Sequence, residues 1–254
     1  TCSDEDLAMV LFRSQEIPRY VEDGVIDVGV CGHDWVVEND SDVVEVTELR
    51  YSKATSNPAS WVVAVPEDSP VRELRDLEGT IVASELVRTT RAFFDAAGVD
   101  VKVEYSWGAT EVKASLPGVG AIVDITETGS SLRANKLRIV DTILASTTRL
   151  IANRDAWADP RKRAKIEDLA LLLNGAIDGR RKMGLKMNLR ADLVEELSAV
   201  LPSEKSPTVS PLMDAKFCAV EVIVDEREAV DLVPVVRRLG ATGIVTYPVN
   251  IAIR

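Results

Sequence analysis

Along the first two thirds of the chain the hydrophobic positions switch between a helical and a strand period, and this alternation predicts an α/β fold. Ser69-Pro70 caps and opens a helix that runs to about Leu77, Gly79 stops it, and a strand follows from Thr80 to Ala83. Thr89 to Ala97 returns to the helical period before Gly98, and Val101 to Tyr105 is again a strand. Another helix opens at Pro160, with Ile166, Leu169, Ala170, Leu173, Ala176 and Ile177 on one face. Arg161 to Arg163 form its solvated first turn. At the other end, Ala8 to Phe12 reads as a strand soon after a polar beginning without Met, from which an incomplete N-terminus is expected.

After Lys182 the order becomes strand Gly184–Leu189, helix Ala191–Leu201, strands near Thr208 and over Phe217–Val224, helix Glu228–Leu239 and strand Gly243–Tyr247. That βαββαβ order is a ferredoxin-like unit with its own two-layer core, so a domain boundary is expected near Arg181-Lys182. Upstream, Asp27-Val28-Gly29-Val30-Cys31-Gly32 and Asp124-Ile125-Thr126-Glu127-Thr128-Gly129 each end a strand that follows a glycine, Gly24 or Gly120. The repeat predicts two similar lobes whose strand ends face a shared cleft. The alternative is that glycine, strand and glycine recur by chance.

Composition narrows the function. With 254 residues, 46% of them hydrophobic, the chain can bury a large core in two or three domains. A net charge of -11 and the lack of a basic stripe with interleaved aromatics exclude a nucleic-acid partner. Small phosphorylated ligands remain compatible, because backbone N–H groups, hydroxyls and a metal can hold them in an acidic protein. Three widely spaced cysteines predict neither a disulfide framework nor a zinc site. No apolar run is long enough for a membrane span, and the start lacks the pattern of a signal peptide. A cytoplasmic protein without a membrane partner is expected.

Chemistry concentrates in Ala121-Ile122-Val123-Asp124-Ile125-Thr126-Glu127-Thr128-Gly129-Ser130-Ser131-Leu132. A buried strand delivers a carboxylate, a hydroxyl-rich turn follows, and a short helix begins at Ser130 and Ser131. A phosphate monoester suits the free N–H groups there, with Gly129 allowing close approach and Thr128, Ser130 and Ser131 donating. Asp124 and Glu127 fit ribose hydroxyls or Mg²⁺ better than phosphate. The plain alternative is an N-capped helix after a strand.

This stretch resembles the phosphoribosyl-pyrophosphate loop of the ATP phosphoribosyltransferase family. There a glutamate precedes by thirteen positions an aspartate, which is followed by an aliphatic residue, two free positions, a hydroxyl residue, glycine, one free position, threonine and Leu or Met. Glu111 stands thirteen residues before Asp124. The resemblance continues through Ile17 to Gly24, Val25 to Gly32, Asn135-Lys136-Leu137 and Lys205 to Leu212, and the C-terminal unit is that of the family's long form. Ser131 stands where the family usually has Thr, and Gly120 where it usually has Asp. Family members also open with a strand and a Lys/Gly/Arg turn on the ATP side, which Thr1 does not reach.

The resemblance implies a periplasmic-binding-protein-like catalytic part, with lobe I over residues 1–55 and 143–181 and lobe II over 56–142, followed by a ferredoxin-like regulatory domain over 182–254. It implies attack of adenine N1 of ATP on the anomeric carbon of phosphoribosyl pyrophosphate, with Mg-bound pyrophosphate leaving. Asp124 is the first candidate to face the developing positive charge and to meet Mg²⁺, and Glu111 the second. The phosphoribosyl pyrophosphate site would comprise Asp124, Thr126, Glu127, Thr128, Gly129, Ser130, Ser131 and Leu132. Arg50, Lys53, Glu85 and Arg91 would serve ATP, although each cation also reads as an ordinary surface ion pair. L-Histidine would inhibit through Ser206, Thr208 and Asn188, and the chain would assemble from dimers to a hexamer. His33 reads as a solvent-facing turn residue, and Trp35, Trp61, Trp107 and Trp157 as packing residues. A two-lobed solute receptor or a catalytically silent homologue are the competing readings.

Overall fold

The computed structural model describes residues 4–51, 58–201 and 207–253, which fall into two compact units, 1–170 and 171–254. The first contains two lobes. Lobe I begins with α1 (Ile17–Glu22), β1 (Val28–Gly32), α2 (His33–Asn39) and β2 (Val44–Leu49). Lobe II follows with β3 (Ala59–Pro66), β4 (Ile81–Ser84), α3 (Val87–Ala97), β5 (Lys102–Tyr105), α4 (Thr110–Lys113), β6 (Val119–Thr126), α5 (Ser130–Ala134) and β7 (Leu137–Ser146). The chain then returns to lobe I as β8 (Thr148–Ala152), α6 (Arg154–Ala158) and α7 (Pro160–Gly179).

In lobe I, β8 lies between β1 and β2 and is antiparallel to both. In lobe II the strand order is β5-β4-β6-β3-β7, with β5, β4 and β6 parallel and β3 antiparallel to its neighbours. Trp61 to Val65 of β3 are all buried, which explains an unbroken apolar run where a half-exposed strand would alternate. Ala121, Ile122 and Val123 of β6 are likewise fully buried, so the strand before the expected loop is pinned on both faces. Asn153 caps α6 by accepting from the N–H groups of Asp155 and Ala156, and Gly98 closes α3 with a left-handed φ of 68°.

The second unit contains β9 (Lys182–Arg190), α8 (Val194–Val200), β10 (Thr208–Pro211), β11 (Phe217–Asp225), α9 (Glu226–Arg238) and β12 (Thr242–Pro248). Its sheet order, β10-β11-β9-β12, with all pairs antiparallel, is the ferredoxin-like arrangement that the element order predicts. Leu185, Met187, Leu189, Val220, Val222 and Val224 face Leu197, Leu232 and Val236 of the helices to form one core. The last turns of α7 belong to this unit, which begins at Leu171, upstream of the Arg181-Lys182 step. Gly175 and Gly179 let residues 250–252 lie directly on that helix, and the Ala252 N–H donates to the Gly175 carbonyl at 2.9 Å.

Two local expectations are corrected. Ser69 to Leu77 forms only a 3₁₀ turn over Leu74–Leu77. The Asp76 carboxylate draws the N–H groups of Arg72 and Glu73, and the Arg72 guanidinium takes the Ser69 carbonyl, so local side-chain bonds replace a helical ladder. Ala8 to Phe12 adopts no regular structure, and Met9, Val10 and Leu11 are exposed. No described strand supplies it with a ladder.

Candidate active site

The parallel strands of lobe II deliver polar residues at one edge of the sheet. β4 ends in Ser84, which is fully buried and accepts from the Leu86 N–H at 2.9 Å and the Thr90 hydroxyl at 2.8 Å. β5 leads to Ser106, which shares a hydrogen bond with Thr110 at 2.7 Å and accepts from Lys113 at 2.8 Å. β6 carries Asp124 near its end. Burial pushes the Asp124 carboxyl above the ordinary aspartate range, and the negative charges of Glu111 and Glu85 add to this. The Ile125 N–H, at 2.8 Å, opposes the shift by holding the charged form. The fold thus brings Asp124 and Glu111 into one electrostatic cluster, with Glu85, assigned in sequence to the nucleotide side, beside them.

Beyond Asp124 the turn is closed by the Gly129 N–H, which donates to the Thr126 hydroxyl at 2.8 Å. Gly129 takes a left-handed φ of 72° and starts α5. Thr128 donates its hydroxyl to that of Ser130 at 2.9 Å, and its carbonyl accepts from the Arg133 guanidinium at 3.0 Å. Glu127, Thr128, Ser130 and Ser131 are exposed, whereas the side chain of Leu132 packs with Ile122 and Leu137 and anchors the short helix. Arg133 was not singled out by the sequence. Upstream on β6, a Cβ at Gly120 would run into the Thr80 side chain, so the space beside this glycine is filled by a neighbouring threonine.

A cavity of about 270 Å³ lies between the lobes, with Trp35, Arg50 and Tyr51 on one side and Ile125 and Glu127 on the other. Of the sequence candidates it brings together Arg50 and Glu127, while Asp124, Glu85, Arg91 and the remaining loop residues do not line it. Arg50 pairs with Glu48 at 2.8 Å, and hydrogen bonds from Thr147 and then Arg50 hold the Glu48 carboxyl below the usual range. Arg91 is exposed on α3. Lys53 and Ser206 lie outside the described residues.

Two carboxylates tie the lobes. Asp34 of α2, only 3% exposed, accepts from the Trp61 indole N–H of β3 and from the Ser146 hydroxyl at the end of β7, both at 2.7 Å. Ser146 in turn accepts from the Asp34 N–H at 3.1 Å, so one buried network grips both strands at which the chain crosses between lobes. Glu38, farther along α2, accepts from the Arg88 N–H, the Thr89 N–H and the Thr89 hydroxyl at 2.7–2.9 Å. Arg88 completes the contact with Asp40 at 2.6 Å.

His33 opens α2 and is mostly covered, with Nδ1 3.1 Å from Glu45, which corrects its reading as a solvent-facing turn residue. Trp35 and Trp61 pack edge to face, and Trp157 lies under Arg163, as packing residues should. Trp107 does not conform: it is 90% exposed and touches Tyr105.

Comparison with known proteins decides the family. The family described as "ATP phosphoribosyltransferase" matches residues 13–175, and the one described as "HisG, C-terminal domain" matches residues 179–251. The chain belongs to the ATP phosphoribosyltransferase family. It is 52% identical to the ATP phosphoribosyltransferase of Chlorobium luteolum, over 97% of this chain and 84% of that protein. The corresponding enzyme of Pelotomaculum thermopropionicum is 51% identical over 98% of this chain and 86% of its own length. Among solved structures, the ATP phosphoribosyl transferase (HisG:HisZ) complex from Thermotoga maritima matches 69% of this chain and 82% of its own, with a TM-score of 0.60 at 24% identity, a likeness of fold.

Proposed function

We propose that this chain transfers the phosphoribosyl group of phosphoribosyl pyrophosphate to N1 of ATP and releases pyrophosphate, the first step of L-histidine biosynthesis. The observation that carries the reading is the carboxylate cluster at the end of β6, immediately before a glycine turn with exposed hydroxyls, beside a cleft between two lobes. Adenine N1 already presents its lone pair, so the protein has no proton to remove before attack. As the bond to pyrophosphate loosens, positive charge grows on the ribose, and a preformed negative field from Asp124, backed by Glu111 and Glu85, stabilises it. Thr126, Thr128, Gly129, Ser130 and Ser131 hold the phosphoribosyl side, with Glu127 toward the ribose hydroxyls. Arg50 and Arg91 are the cations proposed for the triphosphate, with Glu85 between the two sites.

Among the described residues no group of three or more His, Cys, Asp or Glu side chains could hold a metal by itself. Mg²⁺ is commonly held by one or two carboxylates together with substrate phosphates, and Asp124, with Glu111 near enough to act on it, offers such carboxylates. Asp124 is the residue proposed to meet it, and the ion supplies neutralising charge to the leaving pyrophosphate. No described helix is long and apolar enough to cross a membrane. We place the activity in the cytoplasm because both substrates are phosphorylated metabolites.

Mixing the protein with ATP, Mg²⁺ and phosphoribosyl pyrophosphate is expected to change the ultraviolet absorbance of adenine continuously. A spectrum unchanged over many enzyme equivalents would overturn the reading. The acid side of the pH profile gives a finer check. Asp124 must be charged to act, and its raised pKa makes activity fall with acid sooner than an ordinary aspartate would. Glu111→Gln removes one repelling charge, so the acid limb of kcat/KM for phosphoribosyl pyrophosphate, which reports the protein before that substrate binds, is expected to move to lower pH. Movement to higher pH would contradict the role given to Asp124.

For regulation, we propose that L-histidine binds the open face of the C-terminal sheet. Asn188 and Glu221 alternate with core-facing Leu189, Val220 and Val222, and Thr208 stands directly opposite Glu221. Glu221 accepts from the Tyr247 hydroxyl and offers a carboxylate for the amino group of the ligand. Asn188→Ala is expected to raise the histidine concentration for half-inhibition roughly tenfold, as loss of one good hydrogen bond does. Calorimetry checks it, since weakened inhibition with undiminished binding would place the site elsewhere. Assembly from dimers to a hexamer belongs to the same proposal and would cover exposed Val209, Ile223 and Val245.

A further inference from the structure

We infer that Arg133 is a phosphate-binding residue of the loop, trading the Thr128 carbonyl for the monoester phosphate of phosphoribosyl pyrophosphate when that substrate arrives. The inference rests on the function proposed above and assigns to one side chain a role that the loop's hydroxyls and glycine do not fill. Arg133 folds back over the turn, and Nη2 donates to the Thr128 carbonyl at 3.0 Å. Nη1 stands 2.7 Å from the point that a Cβ on Gly129 would occupy. Gly129 is consequently buried although Glu127, Thr128, Ser130 and Ser131 around it are exposed. The glycine therefore makes room for a guanidinium as well as for a ligand.

Charge gives the reason. Asp124, with the negative charges of Glu111 and Glu85 acting on it, already makes the neighbourhood of the loop negative, and a phosphate monoester brings nearly two further negative charges. Neutral hydroxyls cannot offset that repulsion, whereas a guanidinium can, with a planar fork that matches two phosphate oxygens. Among the described residues no ion pair engages Arg133, and of its five N–H groups the Thr128 carbonyl takes one. Its reach, its charge and its seat on the loop all point to the same phosphate.

Steady-state kinetics on Arg133→Gln and Arg133→Lys, with ribose 5-phosphate and inorganic pyrophosphate as inhibitors, test this. Arg133→Gln is expected to raise KM for phosphoribosyl pyrophosphate and the inhibition constant of ribose 5-phosphate by the same factor, roughly ten- to a hundredfold. KM for ATP and the inhibition constant of pyrophosphate should stay within about threefold, and Arg133→Lys should recover part of the loss, as a point charge without the fork. If pyrophosphate and ribose 5-phosphate weaken together, or if Lys is no better than Gln, Arg133 only shapes the turn and the inference falls. Unchanged KM for phosphoribosyl pyrophosphate in an active Arg133→Gln enzyme also overturns it. An inactive wild-type protein would instead bring down the proposed function, and this inference with it.

Discussion

Replacing Asp124 by asparagine is expected to lower kcat roughly a hundred- to a thousandfold, the usual cost of removing one preorganised electrostatic group. The substitution keeps the size of the side chain and a carbonyl oxygen that can still accept from the Ile125 N–H, so the turn should survive. What is lost is the charge that opposes the growing positive charge on the ribose. Because that interaction strengthens toward the transition state, kcat and kcat/KM should fall by similar factors, with little change in KM for ATP. Rapid-quench and steady-state assays would show it. A large rise in KM with undiminished kcat would identify Asp124 as a substrate anchor and remove it from the chemical step.

The second large effect concerns stability. Asp34→Ala should destabilise the two-lobed unit by roughly 2–5 kcal/mol, because it strands the Trp61 indole N–H and the Ser146 hydroxyl in the interior. For a unit of this size that corresponds to a fall in Tm of roughly 4–20 °C. Asp34→Asn keeps the shape and one acceptor oxygen, so it should cost less. Ser146→Ala combined with Asp34→Ala should be less harmful than the sum of the two, since both remove the same network. Calorimetric melting decides the matter, and additive losses would mean that Ser146 is held independently of Asp34.

Much of the fold is legible in the sequence, for reasons of range. The ferredoxin-like unit could be read because its strands and helices announce themselves by local period, and the glycine turn after Asp124 because its chemistry is contiguous in sequence. Ser69 to Leu77 misled because Ser-Pro is a genuine helix opening, but Asp76 then captures the backbone N–H groups a helix would have left to its first turn. Asp34 and Ser146, 112 residues apart, carry no local signature of their partnership. Nor did Glu38, whose partner Thr89 is 51 residues away. Arg133 is hidden for a different reason: in sequence it looks like any cation in the last turn of a short helix, and only the fold-back onto Thr128 reveals what it covers.

The Glu38 contact carries a consequence for how this molecule meets its substrates. A helix start attracts anions, and here α3 has its anion supplied by the opposite lobe. The Arg88 and Thr89 N–H groups are thereby already taken, so a phosphate entering the cleft has to find its donors elsewhere than at the start of α3. The same contact fixes the gap between the lobes in advance, so little conformational freedom is surrendered on binding and more of the contact energy appears as affinity. The protein should therefore behave in solution as a jaw preset near its working width, with substrate capture governed by diffusion into the gap.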